Sequence, residues 1–199
     1  MRGTWRLSLK VAAFCLGIMT AVSLLSIDCA AAPQTEVYLL RGWFGVFSTG
    51  LDNLASELSD KGIHAEAIGH LAWKETVDNI VRERAAGKNS RLVLVGHSQG
   101  ANNVIDMARA LEPHKIKVDL LVTLAPFMQD TVPDNVVRAL NYYQSPGWGE
   151  PLAAGPGFHG KISNINVEGD WSTFHINIDK SARVQADLAR EIVALAHSK

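Results

Sequence analysis

A serine set between two glycines carries the strongest chemical signal in the sequence. The pentapeptide G-H-S-Q-G at positions 96–100 follows the apolar run 92–95 and precedes the helix-like segment 101–111. This order of strand, G-x-S-x-G and helix is typical of a sharp turn, here called the elbow, that exposes the serine hydroxyl as a nucleophile. The glycines leave out Cβ atoms that would clash with the neighbouring chain. We therefore predict that Ser98 is a nucleophile, with a plain glycine-rich turn as the alternative.

A serine hydroxyl is a weak nucleophile near neutral pH and needs an adjacent base. His175 lies in the segment W-S-T-F-H, after the last predicted strand and before the final predicted helix. That position brings it to the same edge of a parallel sheet as Ser98, so we predict His175 as the general base. His97 is interpreted as structural, because its side chain should point away from the face that presents Ser98.

The oxyanion formed in acyl transfer needs two backbone donors. The amide of Gln99 directly follows the nucleophile, and the turn R-G-W-F-G at 41–45 follows the first predicted strand. We predict the Gln99 and Trp43 amides as the oxyanion hole, with Phe44 as the alternative to Trp43. Phe44, Phe127 and Trp148 are predicted to line an apolar substrate pocket, although core packing explains such residues equally well.

The elements that must position these residues alternate along the chain, which indicates an α/β fold. Strands are predicted at 36–41, 63–68, 91–95, 118–124 and 161–167, and helices lie between them and at the carboxyl terminus. A short helix is predicted at 135–140, a loop without periodicity at 145–160, and a cap of the last helix at Asp179. Right-handed crossovers then give a mostly parallel sheet of about five to six strands with helices on both faces. In such sheets the site lies at the carboxyl ends of the strands.

The length, the net charge and the first residues of the chain limit which classes of protein it can belong to. The chain has 199 residues and a formal net charge of −1, and without a basic stripe it gives no case for a nucleic-acid partner. Three basic residues, an apolar stretch at 11–27 and small residues up to position 32 are typical of a signal peptide. We expect residues 1–32 to be this segment, 33–199 to be one domain, and the product to be periplasmic or secreted. Membrane contact is expected only if the segment is an uncleaved anchor.

The turn R-G-W-F-G, the elbow and the late histidine together resemble the α/β-hydrolase superfamily, in particular small, capless serine esterases, lipases and thioesterases. The resemblance implies a single-domain α/β-hydrolase fold that acts on a small acyl ester or thioester without a cofactor. More narrowly, the chain resembles exported bacterial hydrolase-like proteins with a segment V-P-x-N-V…N-x-Y-Q, present here at 132–136 and 141–144. No role is carried over from that segment.

The acid that should orient the base is the point where the sequence departs from the pattern. Relatives of the narrower type commonly have Asp-Pro after the fourth strand, and here that place reads Ala125-Pro126. Asp130 is the first choice, because it lies between the serine and the histidine in a loop. The open alternatives are Asp134, Glu168, Asp170 and the absence of any acid. Without the acid, a triad loses about 10⁴ in kcat and keeps some catalysis.

These observations predict an exported serine hydrolase that forms an acyl-enzyme through Ser98, His175 and Asp130. The alternatives are a catalytically weakened hydrolase-fold protein that binds a ligand or partner in the periplasm, and an acyltransferase. No metal is expected, because the sequence contains no H-x-x-x-H pair and no Cys/His cluster of the kind that binds zinc.

Overall fold

The structure is a computed structural model that describes residues 34–43, 45–46, 48–147, 149–169 and 173–198. The expected signal segment at 1–32 therefore lies outside the described residues, as do Phe44, Trp148 and Asp170. In the described ranges no helix has both the length and the apolar character that crossing a membrane requires.

The described residues form one six-stranded parallel sheet and a second, two-stranded ladder. The strands of the large sheet stand in the order β2-β1-β3-β4-β6-β8, and every neighbouring pair is parallel. Strands β5 and β7 pair with each other. Their bounds are β1 Thr35–Arg41, β2 His64–Gly69, β3 Arg91–His97, β4 Leu120–Leu124, β5 Thr131–Val132, β6 Arg138–Tyr143, β7 Ala153–Ala154 and β8 Lys161–Asn166.

Four α-helices in the described chain cover the two faces of the sheet. They are α1 Gly50–Asp60, α2 Trp73–Ala85, α3 Gln99–Leu111 and α4 Ala182–His197. Apolar residues of α1 and α4 pack with one set of alternating strand residues, including Val37 and Leu39. Residues of α2 and α3 pack with the other set, including Tyr38 and Leu40. The predicted single-domain α/β class, with a mostly parallel sheet and helices on both faces, is confirmed.

Strand β6 is the largest difference from the sequence prediction. The expected helix at 135–140 does not form, and Arg138–Tyr143 instead lies between β4 and β8. Asp134 therefore has no helix to cap there, and Nδ2 of Asn135 donates to the carbonyls of Ala108 and Ile116. The polar Asn141 interrupts an otherwise apolar run, which hid the strand from a reading of hydrophobic periodicity.

Asn141 is fully buried, and its hydrogen bonds account for the asparagine of the N-x-Y-Q segment singled out above. Its Oδ1 accepts from Thr123 at 2.8 Å, and its Nδ2 donates to the Glu150 carbonyl at 2.8 Å and to Asn164 at 2.9 Å. Asn164 in turn exchanges two hydrogen bonds with the backbone of Leu152. This asparagine network ties the long segment that follows β6 to the sheet, so that segment is anchored rather than structureless.

Candidate active site

The elbow has the strained geometry that its sequence predicts. Ser98 joins β3 to α3 with φ 56° and ψ −122°, a backbone conformation that non-glycine residues rarely adopt. A Cβ at Gly96 would overlap the backbone of Gly100, and a Cβ at Gly100 would overlap the carbonyl of Leu40. Both glycines are therefore required for close approach, and neither needs a positive φ. The turn holds the Ser98 side chain at the carboxyl edge of the sheet.

The base predicted from the sequence lies against this serine. Ser98 Oγ and His175 Nε2 are 3.0 Å apart, which is within the reach of a nucleophile–base hydrogen bond. His175 belongs to a turn in which the amides of Asn177 and Ile178 donate to the Phe174 carbonyl. The structure thus brings together two of the three predicted catalytic residues, although they are 77 positions apart in the chain.

The imidazole of His175 is held in its neutral form. Burial, reinforced by the nearby ring of His97, lowers its pKa from 6.5 to about 4. The two ring centroids are 5.4 Å apart. A neutral imidazole can accept a proton from a serine hydroxyl.

His97 and Ser48 join the site through a chain of hydrogen bonds that the sequence did not reveal. His97 Nε2 lies 2.6 Å from the backbone oxygen of His175, and His97 Nδ1 lies 2.8 Å from Ser48 Oγ. The Gly42 amide donates to the same Ser48 oxygen at 3.0 Å. His97 and Ser48 are both almost fully buried. We call these residues the elbow network: Gly42, Ser48, His97 and the backbone of His175.

The loop after β1 also touches the nucleophile. A Cβ at Gly42 would lie 3.0 Å from the Cβ of Ser98 and 3.1 Å from the carbonyl oxygen of His97. Trp43, the predicted oxyanion donor, directly follows this glycine, and Gln99 begins α3. A helix of 13 residues carries a partial positive charge at its first turn, which favours an anion there.

Asp179 makes a second tie between the loop after β1 and the segment that carries His175. Its Oδ2 accepts from the Gly50 amide at 2.8 Å, at the start of α1. The expectation that Asp179 caps the last helix is wrong, because Ser181 accepts from Val184 there. Asp179 is fully buried, and among the described residues its Oδ1 finds no hydrogen-bond partner. Burial raises its pKa from 3.8 to about 6.

The structure does not bring Asp130 together with His175, contrary to the prediction. The Asp130 carboxylate accepts from Arg109 at 2.9 Å. Arg109 lies eleven residues after Ser98 on α3, or about 16 Å along the helix axis. The ion pair therefore holds Asp130 near the opposite end of the helix from the elbow.

Asp134 also lies away from the site, because its neighbour Asn135 is bound at the other edge of the sheet. It directly precedes Asn135, which binds carbonyls of Ala108 and Ile116 at the amino-terminal edge of the sheet. The carboxyl ends of β4 and β6 carry Ala125 and Gln144, which are not acids. Among the described residues, the loops at the correct edge carry Glu150 after β6, next to Gly149, which lies against Ala125, and Glu168 after β8. Glu168 is exposed and accepts weakly from Asn166 at 3.4 Å, and Asp170 lies outside the described residues.

An apolar surface adjoins the elbow. Trp43 and Phe127 are about half exposed and stack with ring centroids 6.1 Å apart. The loop that carries Phe127 is fixed by Asn102 of α3, whose Oδ1 accepts from the Phe127 and Met128 amides. The exposed large apolar side chains in loops near this edge are Trp43, Val46, Leu71, Phe127, Met128, Phe174 and Ile176. Phe127 belongs to this exposed surface, and its role in binding substrate stays a prediction. Phe44 and Trp148 are outside the described residues.

The described residues contain no group of three or more His, Cys, Asp or Glu side chains that could hold a metal ion. The arrangement instead offers a hydroxyl, a neutral base and a helix amino terminus. These are the components of nucleophilic acyl chemistry.

No protein-family model and no curated protein sequence matches the chain. Solved structures do match. The NocB thioesterase domain, in covalent complex with a fluorophosphonate nocardicin G analogue, is 12% identical at a TM-score of 0.52 over 84% of this chain and 96% of that chain.

Two further structures resemble the chain less closely. Another structure of the NocB thioesterase domain, from the nocardicin cluster, is 13% identical at a TM-score of 0.47, over 83% of this chain and 94% of that chain. An alpha/beta superfamily protein from Xanthomonas campestris pv. campestris is 14% identical at a TM-score of 0.40, over 78% of this chain and 98% of that chain. With the sheet order and the elbow described above, the likeness identifies an α/β-hydrolase-like fold.

Proposed function

We propose that the protein is a serine hydrolase that cleaves an ester or a thioester. The single observation that carries this proposal is the 3.0 Å approach of Ser98 Oγ to the neutral His175 at a strained elbow. Strain of this kind persists only where the surrounding structure enforces it, and it concentrates at functional sites.

In the proposed mechanism, Ser98 Oγ forms a bond to the acyl carbon while its proton passes to His175 Nε2. The carbonyl electron pair moves to the oxygen, which accepts hydrogen bonds from the Gln99 and Trp43 amides. When this intermediate collapses, the bond to the alcohol or thiol breaks and His175 returns the proton to the leaving group. Water then attacks the acyl-enzyme by the same route and releases a carboxylic acid.

The apolar surface of Trp43 and Phe127 beside the elbow supports an apolar acyl group as the part of the substrate that is recognised. Phe44 and Trp148 are proposed to extend this surface. The proposed location is the periplasm or the extracellular space, because residues 1–32 have the composition of a signal peptide. Fractionation of cells that express the full chain tests the location.

A fluorophosphonate probe tests the function, because it reacts covalently with an activated serine. The NocB domain, to which the fold is similar, was captured with a reagent of this class. We expect the wild-type protein to be labelled and Ser98→Ala to be unlabelled, with mass spectrometry locating the adduct on the elbow peptide. Ser59→Ala is the matched control, because Ser59 lies on α1 and donates only to a backbone carbonyl. A folded wild-type protein that resists labelling would overturn the proposal.

A second candidate function is non-catalytic binding of a ligand or a partner at the surface beside Ser98. The observation that favours it is that no acid directly follows β4 or β6, where Ala125 and Gln144 stand. The two functions separate on a series of acyl esters and thioesters of increasing chain length. Turnover that is lost in Ser98→Ala supports the hydrolase, whereas saturable binding that Ser98→Ala retains, without turnover, supports the binder.

A further inference from the structure

The elbow network connects three segments that are far apart in the chain. Ser48 lies in the loop after β1, His97 ends β3, and His175 lies in the turn before α4. The bonds from His97 to Ser48 and to the His175 carbonyl are 2.8 Å and 2.6 Å long. His97 is therefore the residue that joins the loop of the proposed oxyanion hole to the loop of the proposed base.

The chemistry of the partners fixes the tautomer of His97. A backbone carbonyl can only accept, so Nε2 must carry the proton that it donates to His175. Burial lowers the pKa of His97, so the ring is neutral and Nδ1 is an acceptor. The Ser48 hydroxyl then donates to Nδ1 and accepts from the Gly42 amide. Every hydrogen bond in this chain runs in one direction, from the Gly42 amide to the His175 carbonyl.

The last bond acts on the backbone of the base itself. His175 reaches Ser98 from a turn whose neighbours Phe174 and Ile176 are more than half exposed, while Ile178 anchors the end of the turn in the core. The bond from His97 to the His175 carbonyl fixes the backbone from which the imidazole projects. His97 directly precedes Ser98 in the sequence. One short segment therefore carries the proposed nucleophile and also holds the backbone of the proposed base.

We propose that His97 is a positioning residue that holds His175 at attack distance from Ser98 by donating Nε2–H to the His175 carbonyl, with Ser48 fixing its tautomer. The proposal rests on the proposed hydrolase function. His97 does not touch the reacting atoms; it acts through the backbone of the base.

Two substitutions of His97 separate its two hydrogen bonds. In His97→Gln the side-chain amide can occupy the place of Nε2 and keep the donor to the His175 carbonyl. In His97→Asn the amide can occupy the place of Nδ1 and keep the bond to Ser48, while the His175 carbonyl loses its donor. The two variants are matched in polarity, so they differ chiefly in which partner they retain.

The experiment measures the rate of fluorophosphonate labelling together with urea unfolding. We expect His97→Asn to be labelled at least about tenfold more slowly, since misplacing a reacting group by about 1 Å can cost on the order of 10²-fold. We expect His97→Gln to stay within about threefold of the wild-type rate, because its donor is retained. Equal rates in the two variants would overturn the proposal, whatever their stabilities, because a merely structural role does not distinguish the two bonds.

Nitrogen-15 NMR of the histidine rings gives a second readout that does not depend on activity. We expect wild-type His97 to be neutral and protonated at Nε2, and this state should persist in Ser98→Ala. Protonation at Nδ1 instead would overturn the proposal. If the wild-type protein is not labelled at all while the NMR result is as expected, the proposed hydrolase function fails and the hydrogen-bond chain stands.

Discussion

Two buried hydrogen-bond networks hold loops of this protein to its sheet, and they differ in what they leave available for chemistry. The asparagine network around Asn141 uses both hydrogens of the amide and ends on backbone groups and on Asn164. The elbow network also ends on a backbone carbonyl, but it leaves the His175 ring facing Ser98. Both networks satisfy buried polar groups, which is what folding demands. Only the second lies beside a histidine ring that faces a serine with a strained backbone.

The difference teaches that polar burial by itself does not mark a site. Asn141 is as deeply buried as any group in the elbow network, yet its partners are all neutral and none is nucleophilic. The elbow network is set apart by a shifted pKa and by the positive φ of Ser98. Substitutions in the two networks should therefore separate loss of reactivity from loss of stability.

The largest expected effect is on reactivity, in His175→Ala. Removing the base should slow the labelling of Ser98 by at least about 10³-fold, equivalent to about 4 kcal/mol of activation free energy. The measurement is the labelling rate of folded protein, with circular dichroism as the check of folding. His114→Ala is the matched control, because His114 is exposed in the turn that follows α3. Equal labelling of the two variants would contradict the role of His175.

The next effect is on stability, in Asn141→Leu. This substitution leaves Thr123 and the Glu150 carbonyl without their partner, and we expect about 3 kcal/mol lower free energy of unfolding. Asn166 is exposed at the end of β8, with bonds of 3.3 Å and 3.4 Å to Ser145 and one of 3.0 Å from the Glu168 amide. Asn166→Ala should therefore lose less than about 1 kcal/mol. Urea unfolding measures both. The labelling rate of the folded fraction should be unchanged in both variants. A large fall in that rate would contradict the claim that the asparagine network affects stability and not the reactivity of Ser98.

A smaller effect concerns pH and Asp179. Its folded pKa of about 6 lies above the ordinary 3.8, so the folded state binds the proton more tightly than the unfolded state. The stabilising contribution is then complete below the unfolded pKa and is lost as pH rises through the folded pKa.

Asp179→Asn should remove this pH dependence. Relative to wild type, the variant should gain about 2 kcal/mol in unfolding free energy between about pH 4 and about pH 7. Urea unfolding at several pH values measures the slope. Asp187→Asn, in a surface ion pair with Arg190, is the control and should follow the wild-type curve more closely. An identical slope for wild type and Asp179→Asn would show that Asp179 titrates normally.

The smallest expected change is in the acid limb of the labelling rate. Because the pKa of His175 is lowered to about 4, the base stays neutral down to mildly acidic pH. The wild-type rate should fall by less than about a tenth between about pH 8 and about pH 6, whereas a histidine of ordinary pKa would lose about three quarters. A midpoint near the ordinary value would show that the base is solvated rather than buried.

Sequence reasoning located the strands and helices that have a regular hydrophobic period. It also located the part of the candidate site that lies in one short motif. Periodicity located β1, β3 and α3, and the elbow motif with its strand and helix located Ser98. His175 was found by its place in the order of elements. Strand β6 was missed, because Asn141 breaks its apolar run and is satisfied only by partners on other elements.

The rest of the site depends on contacts that no local pattern encodes. Ser48 looks like an ordinary loop serine, and His97 was expected to point away from the site. Their roles emerge only when the loop after β1 meets the segment around position 175. Asp130 was chosen by its place in chain order and in a loop expected at the site edge, and its pairing with Arg109 depends on the length of α3.

Chain order also governs when the site can exist. The hydrogen bonds that complete it join residues 49, 77 and 129 positions apart, and parallel pairing over such separations forms slowly. During synthesis Ser98 emerges before the segment that carries His175 and Asp179. A partly made or partly folded chain therefore holds a serine without a base. In the proposed hydrolase, Ser98 therefore gains its base only when the segment that carries His175 docks against the sheet.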